Sequence, residues 1–497
     1  MLKQSIKAIK FAKNFKKYKK ATDEAEKIKA AKLISSFIQK EGGIFLKVAQ
    51  YMGTNKEHHA EIERLSFLKE QAIDQKKVVS ILSKAISNFD SKYSNLSFDP
   101  FTASVGQVHI ADSEFGKVAI KIQYPNIKKE LQSQLKLLNF LPTKKIEKKW
   151  GMDINQYRLM IERLIDNELD YTKEAKIQLE VYQALETSSF YKIPKVITED
   201  STEKVLVTEF LEGIGANKLD SYSQKEINEV SFSIAYTYLT LLSKNYTQAD
   251  SNHGNFIFNK SQVGLIDFGQ FYHFKKNLPK VLVSLIYKLI NEDEVDFLSY
   301  YCAMGFNQEK LVMIEKNLKV LSLVIFRPFL ENKKIDLNSW KYKDEIDMVL
   351  GDNKWWFRSA GGEEFFIILK SFLGFKNLIQ KYDGRINWQQ TFQEVFIANK
   401  EEYLTFSPPV VNSGIELAGS FVHVVVTKSG LESVNLKLPL FSLFNIRDYI
   451  SDEIQMKLGE RGISIEEVTK KALIDGAPIK TLFQLSEKEK EFVLKII

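Results

Sequence analysis

A chain of 497 residues with 44% hydrophobic content and 10 prolines is long enough for two or three well-cored domains, which excludes a disordered segment. Its single cysteine, Cys302, excludes an intrachain disulfide or cysteine-based metal cluster, and its six histidines form no ligand-spaced set. The net charge of +7 is local: residues 1–20 carry eight lysines and no acid, leaving the other 477 residues at −1, a composition that excludes a nucleic-acid binder.

In chain order, residues 1–20 also place Leu2, Ile6, Ile9, Phe11, Phe15 and Tyr18 at roughly helical intervals. A lysine-rich amphipathic helix on an anionic membrane surface and a solvated leader helix packed on the protein are equal readings. The segment lacks arginine, which argues against an organellar presequence. With no apolar run long enough to span a bilayer and no secretory signal pattern, the expected location is cytoplasmic, soluble or peripheral to a membrane. Residues from about 22 to 90 read as helices. "VGQVHIA" and "KVAIKI" are β-branched runs around the turn signal at residues 112–116, so the spacing predicts a hairpin within 101–122. Helical pattern returns over 126–186, "KVLVTEFLEG" reads as a buried strand, and a long helix is expected over about 224–245. "NFIF" and "VGLIDFG" read as short strands around a turn at 259–262, and helical pattern then runs to about 405. "SPPVVNSG" at 407–414 is a linker candidate. Beyond it, "VHVVVTK" and "VNLKLPL" read as paired strands, followed by helices near 451–475 and a final strand, "FVLKII".

Chemistry enters through the order of these parts. The loop Thr102-Ala103-Ser104-Val105-Gly106 is made of small residues that let backbone N–H groups approach phosphates, and it precedes a strand carrying Lys121. "NELDYTKEA" supplies Glu168, Asp170 and Glu174 on a predicted helix, as acids that can hold such a lysine. "ADSNHGN" then gives an Asp-x-x-x-x-Asn loop, Asp250 to Asn255, and "LIDFGQ" gives Asp267-Phe268-Gly269. Asn255 and Asp267 fit as Mg²⁺ ligands, and Asp250 as the acceptor of a proton from an attacking hydroxyl or water. The ordered set predicts a kinase-like site for ATP and Mg²⁺. Thr247-Gln248-Ala249 stands before Asp250 where a protein kinase carries His-Arg, and no glycine-triad loop precedes Lys121.

With "GGIFLKVAQYMG" upstream, where Lys47 and Gln50 share one helical face, these motifs make residues 25–400 resemble the UbiB family of atypical kinases. The resemblance implies a bilobal protein-kinase-like fold with a helical N-terminal extension, and the strand and helix pattern past the linker adds a small C-terminal α+β appendage, making the whole α+β. The expected divisions are 1–95 for the extension, 96–213 for the N-lobe, 214–406 for the helical C-lobe and 415–497 for a module with no catalytic constellation. The family's Lys-x-Gly-Gln motif falls on Lys47-Val48-Ala49-Gln50, in an extension that packs over the active site. Its lysine reaches toward Glu168-Leu169-Asp170. By the same comparison Lys121 is the nucleotide lysine, Glu174 its ion-pair partner, and Ala103 and Ser104 part of the alanine-rich loop that replaces a glycine-rich one. The implied activity is ATP hydrolysis or lipid-directed phosphate transfer, with a role in isoprenoid-quinone synthesis at a membrane surface. The chain departs from the family at Ala49, at the loop's single alanine, and in Asp250-Ser251-Asn252-His253-Gly254-Asn255, which lacks two prolines. His253 reads as structural. Two alternatives stay open: a small-molecule phosphotransferase of the aminoglycoside or choline kinase kind, and a nucleotide-binding pseudokinase that meets a protein partner through 415–497. "KWWFR" at 354–358 reads as core in preference to a lipid contact.

Overall fold

A computed structural model describes residues 72–103, 105–129, 166, 168–185, 187–249, 253–275, 277–411, 419–487 and 490–497. The expected helices before residue 72, and most of those over 126–165, lie outside the described residues.

The first lobe is organised by strand alternation. β1 (Gly106–Ser113) and β2 (Gly116–Gln123) form the expected hairpin, and Gly116 closes it at φ 92°, a left-handed conformation that favours glycine. On β2, Val118, Ile120 and Ile122 are fully buried, so the period of two sends Ala119 and Lys121 to the opposite face. β3 (Val205–Glu209) pairs with β2, placing Leu206 opposite Lys121, and two short strands complete a five-stranded antiparallel sheet. α1 (Gln75–Ala85) starts at Asp74, whose side chain accepts from Lys76 N, and packs Val78 and Leu82 with the apolar face of β2. Each such aliphatic side chain contributes about 1.5–3 kcal/mol by leaving water. α2 (Tyr171–Ala184) buries Tyr171, Glu174, Ala175 and Gln178, positions three and four apart that share one helical face.

The second lobe is centred on α3 (Gln224–Ser243), which begins with a reciprocal capping box between Ser223 and Glu226 and is buried along much of its circumference. β4 (Tyr246–Gln248) follows. β5 (Phe256–Asn259) and β6 (Gln262–Leu265) form a hairpin, and β7 (Phe271–His273) pairs with β4, with Gln248 opposite Phe271. Helices α4 (Leu278–Ile290), α5 (Leu318–Leu330), α6 (Glu363–Lys381) and α7 (Trp388–Phe396) pack around α3 and one another. The "KWWFR" segment lies in the helix Lys354–Ala360, where Phe357 is buried against Tyr301 and Phe306 and Trp356 is half-buried against the same core.

Past residue 418, β8 (Phe421–Lys428) and β9 (Leu431–Pro439) are the expected hairpin, and α8 (Asp452–Glu460) and α9 (Ile465–Ile474) follow it. β10 (Lys480–Glu487) was not foreseen. It pairs with β11 (Lys490–Ile496), giving an antiparallel sheet in the order β9-β8-β11-β10. A register shift between Thr481 and Phe483 interrupts the alternation that would have announced the strand. This sheet and its helices share one continuous hydrophobic core with the helical lobe. Asn317 Nδ2 donates to the Ile474 carbonyl at 2.9 Å. Gly476 has φ 83°, and a Cβ there would stand 2.3 Å from the Lys316 carbonyl oxygen, so the two backbones touch where only glycine fits. Arg327 pairs with Glu345 at 2.7 Å and lies 5.4 Å from the ring centroids of both Phe441 and Phe444. Among the described residues no helix is long and apolar enough to cross a membrane.

Candidate active site

β2 and α2 deliver the first two groups. Lys121 projects from the face of β2 opposite its apolar core, and Glu174 from the inner face of α2. The Lys121 ammonium donates to both Glu174 carboxylate oxygens, at 2.8 and 2.9 Å. Glu174 Oε1 also accepts from Phe268 N at 3.3 Å, which fastens the ion pair to the Asp267-Phe268-Gly269 turn. That turn is shaped locally: Gly269 N donates to Asp267 Oδ1 at 2.9 Å, while the Phe268 ring is buried and stacked 4.5 Å from Phe271. A Cβ on Gly269 would lie within 4 Å of Asp267, Glu168 and Glu174, which shows how closely the three acids gather around the turn.

Burial opposes the charge on Lys121, but the carboxylates of Asp267 and Glu174 outweigh it and hold the ammonium well above the usual lysine range. The lysine is therefore a fixed positive charge facing two acids. Its ammonium also lies 4.9 Å from the centroid of the Tyr171 ring.

The remaining predicted residues are placed as follows. Ala103 N donates to the Gly106 carbonyl at 2.8 Å, which folds the loop before β1 into a turn beside β2. Glu168 is buried and accepts from Gln270 Nε2 at 2.7 Å, directly after the Asp-Phe-Gly turn. Asp170 caps α2, accepting from Thr172 N at 3.1 Å, and so sets the start of the helix that aims Glu174. Asn255 ends the short turn His253–Asn255, and its carbonyl accepts from Ile266 N at 3.1 Å, one residue before Asp267. The structure thus brings together Lys121, Glu168, Glu174, Asp267 and the backbone of Asn255. Lys47, Gln50, Ser104 and Asp250 lie outside the described residues.

Sequence reasoning missed Gln248. It occupies the position two residues before Asp250 where a protein kinase has histidine, is buried, and donates through Nε2 to the Asp267 carbonyl at 3.2 Å. The available signal was a long polar side chain at the inner end of a short strand. Gln270 was missed in the same way, and Tyr171 was passed over as part of an acidic helix motif.

A profile of the ABC1 atypical kinase-like domain matches residues 67–301. The chain is similar, at 27% identity over 64% of its length, to "Probable serine/threonine-protein kinase abkA" of Dictyostelium discoideum, of which 60% is covered. It is 28% identical over 48% of its length to "Atypical kinase COQ8, mitochondrial" of Saccharomyces cerevisiae, covering 49% of that protein. It is 30% identical over 37% of its length to "Atypical kinase COQ8B, mitochondrial" of Rattus norvegicus, covering 35%. The matches thus span less than two thirds of these relatives. Among solved structures, "The complex structure of Rv3197-erythromycin from Mycobacterium tuberculosis" shares the fold at a TM-score of 0.51 and 18% identity, covering 75% of this chain and 96% of that one. The ABC1 kinase-like domain over residues 67–301 and the COQ8 relatives support the expected resemblance to the UbiB family of atypical kinases.

Proposed function

We propose that the protein binds Mg-ATP and either hydrolyses it or passes its phosphate to a lipid-related acceptor at a membrane surface. The observation that carries this reading is the cluster in which one ammonium, the half-buried Lys121, faces two carboxylates, the buried Glu174 and the half-buried Asp267. That leaves an excess of negative charge beside a small-residue turn, which suits a divalent cation shared with a polyphosphate. Asp267 and Asn255 would hold the Mg²⁺, which when bound neutralises charge on the phosphate oxygens. Lys121 places its charge on the phosphates, Glu174 keeps the lysine in position, and Asp250 takes the acceptor's proton. Lys47 and Gln50 would belong to the extension over this site and act with Glu168 and Asp170. The lipid setting is supported by the lysine-rich residues 1–20. The isoprenoid-quinone role is supported by the COQ8 names of the relatives.

The test is phosphate release from Mg-ATP by the full chain, with and without vesicles of anionic lipid. Asp267→Asn is expected to lower release about 100-fold or more, as removal of a charge-stabilising group does in other sites. Unchanged release by that variant would overturn the metal assignment. Thermal stabilisation by Mg-ATP with no release or transfer would instead make the protein a nucleotide-binding scaffold.

A further inference from the structure

Tyr171 opens α2 with its side chain wholly buried. Its ring supports the Lys121 ammonium, yet its hydroxyl has no hydrogen-bond partner among the described residues. An unsatisfied buried hydroxyl destabilises a fold, and phenylalanine would fill the same space without that cost. Burial pushes the phenol above its usual range, so the group is a neutral O–H with a proton to donate.

Its surroundings limit the acceptor. A Cβ built on Gly106 would stand 2.9 Å from the Tyr171 oxygen, so the hydroxyl lies directly against the start of β1, where the small-residue loop ends. Lys121 and Phe268 N already engage the Glu174 carboxylate. An acceptor arriving from outside must therefore suit three features: the loop's backbone, a fixed ammonium and a lone O–H donor. Phosphate oxygens are acceptors without donors and carry the charge that the ammonium favours.

We propose that Tyr171 is a polyphosphate-binding residue, whose hydroxyl donates to a phosphate oxygen of the nucleotide beside Lys121. This rests on the nucleotide reading given above and adds a residue to it. The hydroxyl is held ready without a partner among the described residues, so its hydrogen bond forms with ligand present.

The experiment compares wild type, Tyr171→Phe and Tyr171→Leu as full chains, measuring melting temperature and affinity for Mg²⁺ with a non-hydrolysable ATP analogue, ADP and AMP. Tyr171→Phe keeps the ring under Lys121. It should melt at or above the wild-type temperature without ligand, yet bind the ATP analogue and ADP about tenfold more weakly. AMP binding should change less. Tyr171→Leu, which also removes the ring, should lose affinity and melt lower. A Tyr171→Phe variant that binds ATP analogue and ADP as tightly as wild type overturns the proposal while leaving the nucleotide reading intact. So does one that melts lower with unchanged affinity, since that marks a structural role. Failure of the wild type itself to bind any Mg-nucleotide overturns both.

Discussion

In the helical lobe, buried side chains form one cluster running from α2 to β11, whereas the sheet lobe rests on two small clusters either side of β2. One of the small clusters is the apolar packing of α1 on β2. The other contains Tyr171 and Val105 and adjoins the charged groups of the site. The first lobe thus keeps its polar residues close to a thin core, whereas the large core of the second reaches the site through the stacked Phe268 and Phe271. Regions with few buried contacts open at lower free energy, so the sheet lobe is the part of the fold best able to respond to ligand.

Three substitutions can break or sharpen this contrast. The largest effect is expected from Trp388→Ala, because Trp388 is fully buried and packs edge-on against Phe329 and Phe372. A loss of about 4–5 kcal/mol is expected. Hydrogen exchange should show α3 and the β8–β11 sheet losing protection together while β1–β3 keep theirs. If the C-terminal sheet stayed protected while α3 opened, the continuity of the large core would be wrong as an energetic statement.

Glu174→Gln should cost about 3 kcal/mol, at the lower end for breaking a buried pair, because Asp267 remains beside Lys121. Here the loss should appear in β1–β3 and α2, read by urea denaturation followed with the same exchange probes. Equal loss in both lobes would contradict the division.

The smallest effect concerns His109. Its Nδ1–H donates to the Ser97 carbonyl at 2.6 Å, while Nε2 accepts from the Gln107 amide at 2.7 Å. That amide is oriented by Ile73 N donating to Gln107 Oε1 at 2.8 Å, so the partners fix a neutral ring. Burial lowers the His109 pKa from its usual value, so the unfolded chain binds the extra proton first as pH falls. Stability should be level above about pH 6.5 and decline below it. His109→Gln should flatten that slope; a slope unchanged by the substitution would assign the acid sensitivity elsewhere.

The elements most legible in sequence had a local signal. The β1–β2 hairpin announced itself by β-branched runs and a glycine turn, and α3 by its long helical pattern. What was hidden depended on distant partners. Tyr191 and Lys192 form a strand of two residues that exists only by parallel pairing with Val263 and Gly264. The close approach of Gly476 to Lys316 joins positions 160 residues apart, and no spacing in one segment could suggest it. At the site, the order of charged motifs was readable because phosphate chemistry constrains residue type. The hydrogen bonds of Gln248 and Gln270 were not, since a glutamine at a strand end or in a turn reads as solvated until its neighbours are known.

Gln248 carries one more consequence. A carboxamide neither gains nor loses a proton across the physiological range, whereas imidazole changes its donor pattern near neutrality. The tether from Gln248 to the Asp267 carbonyl is therefore constant with acidity. Mild acidification, such as accompanies a change of compartment or metabolic state, would leave this anchor of the Asp-Phe-Gly turn in place.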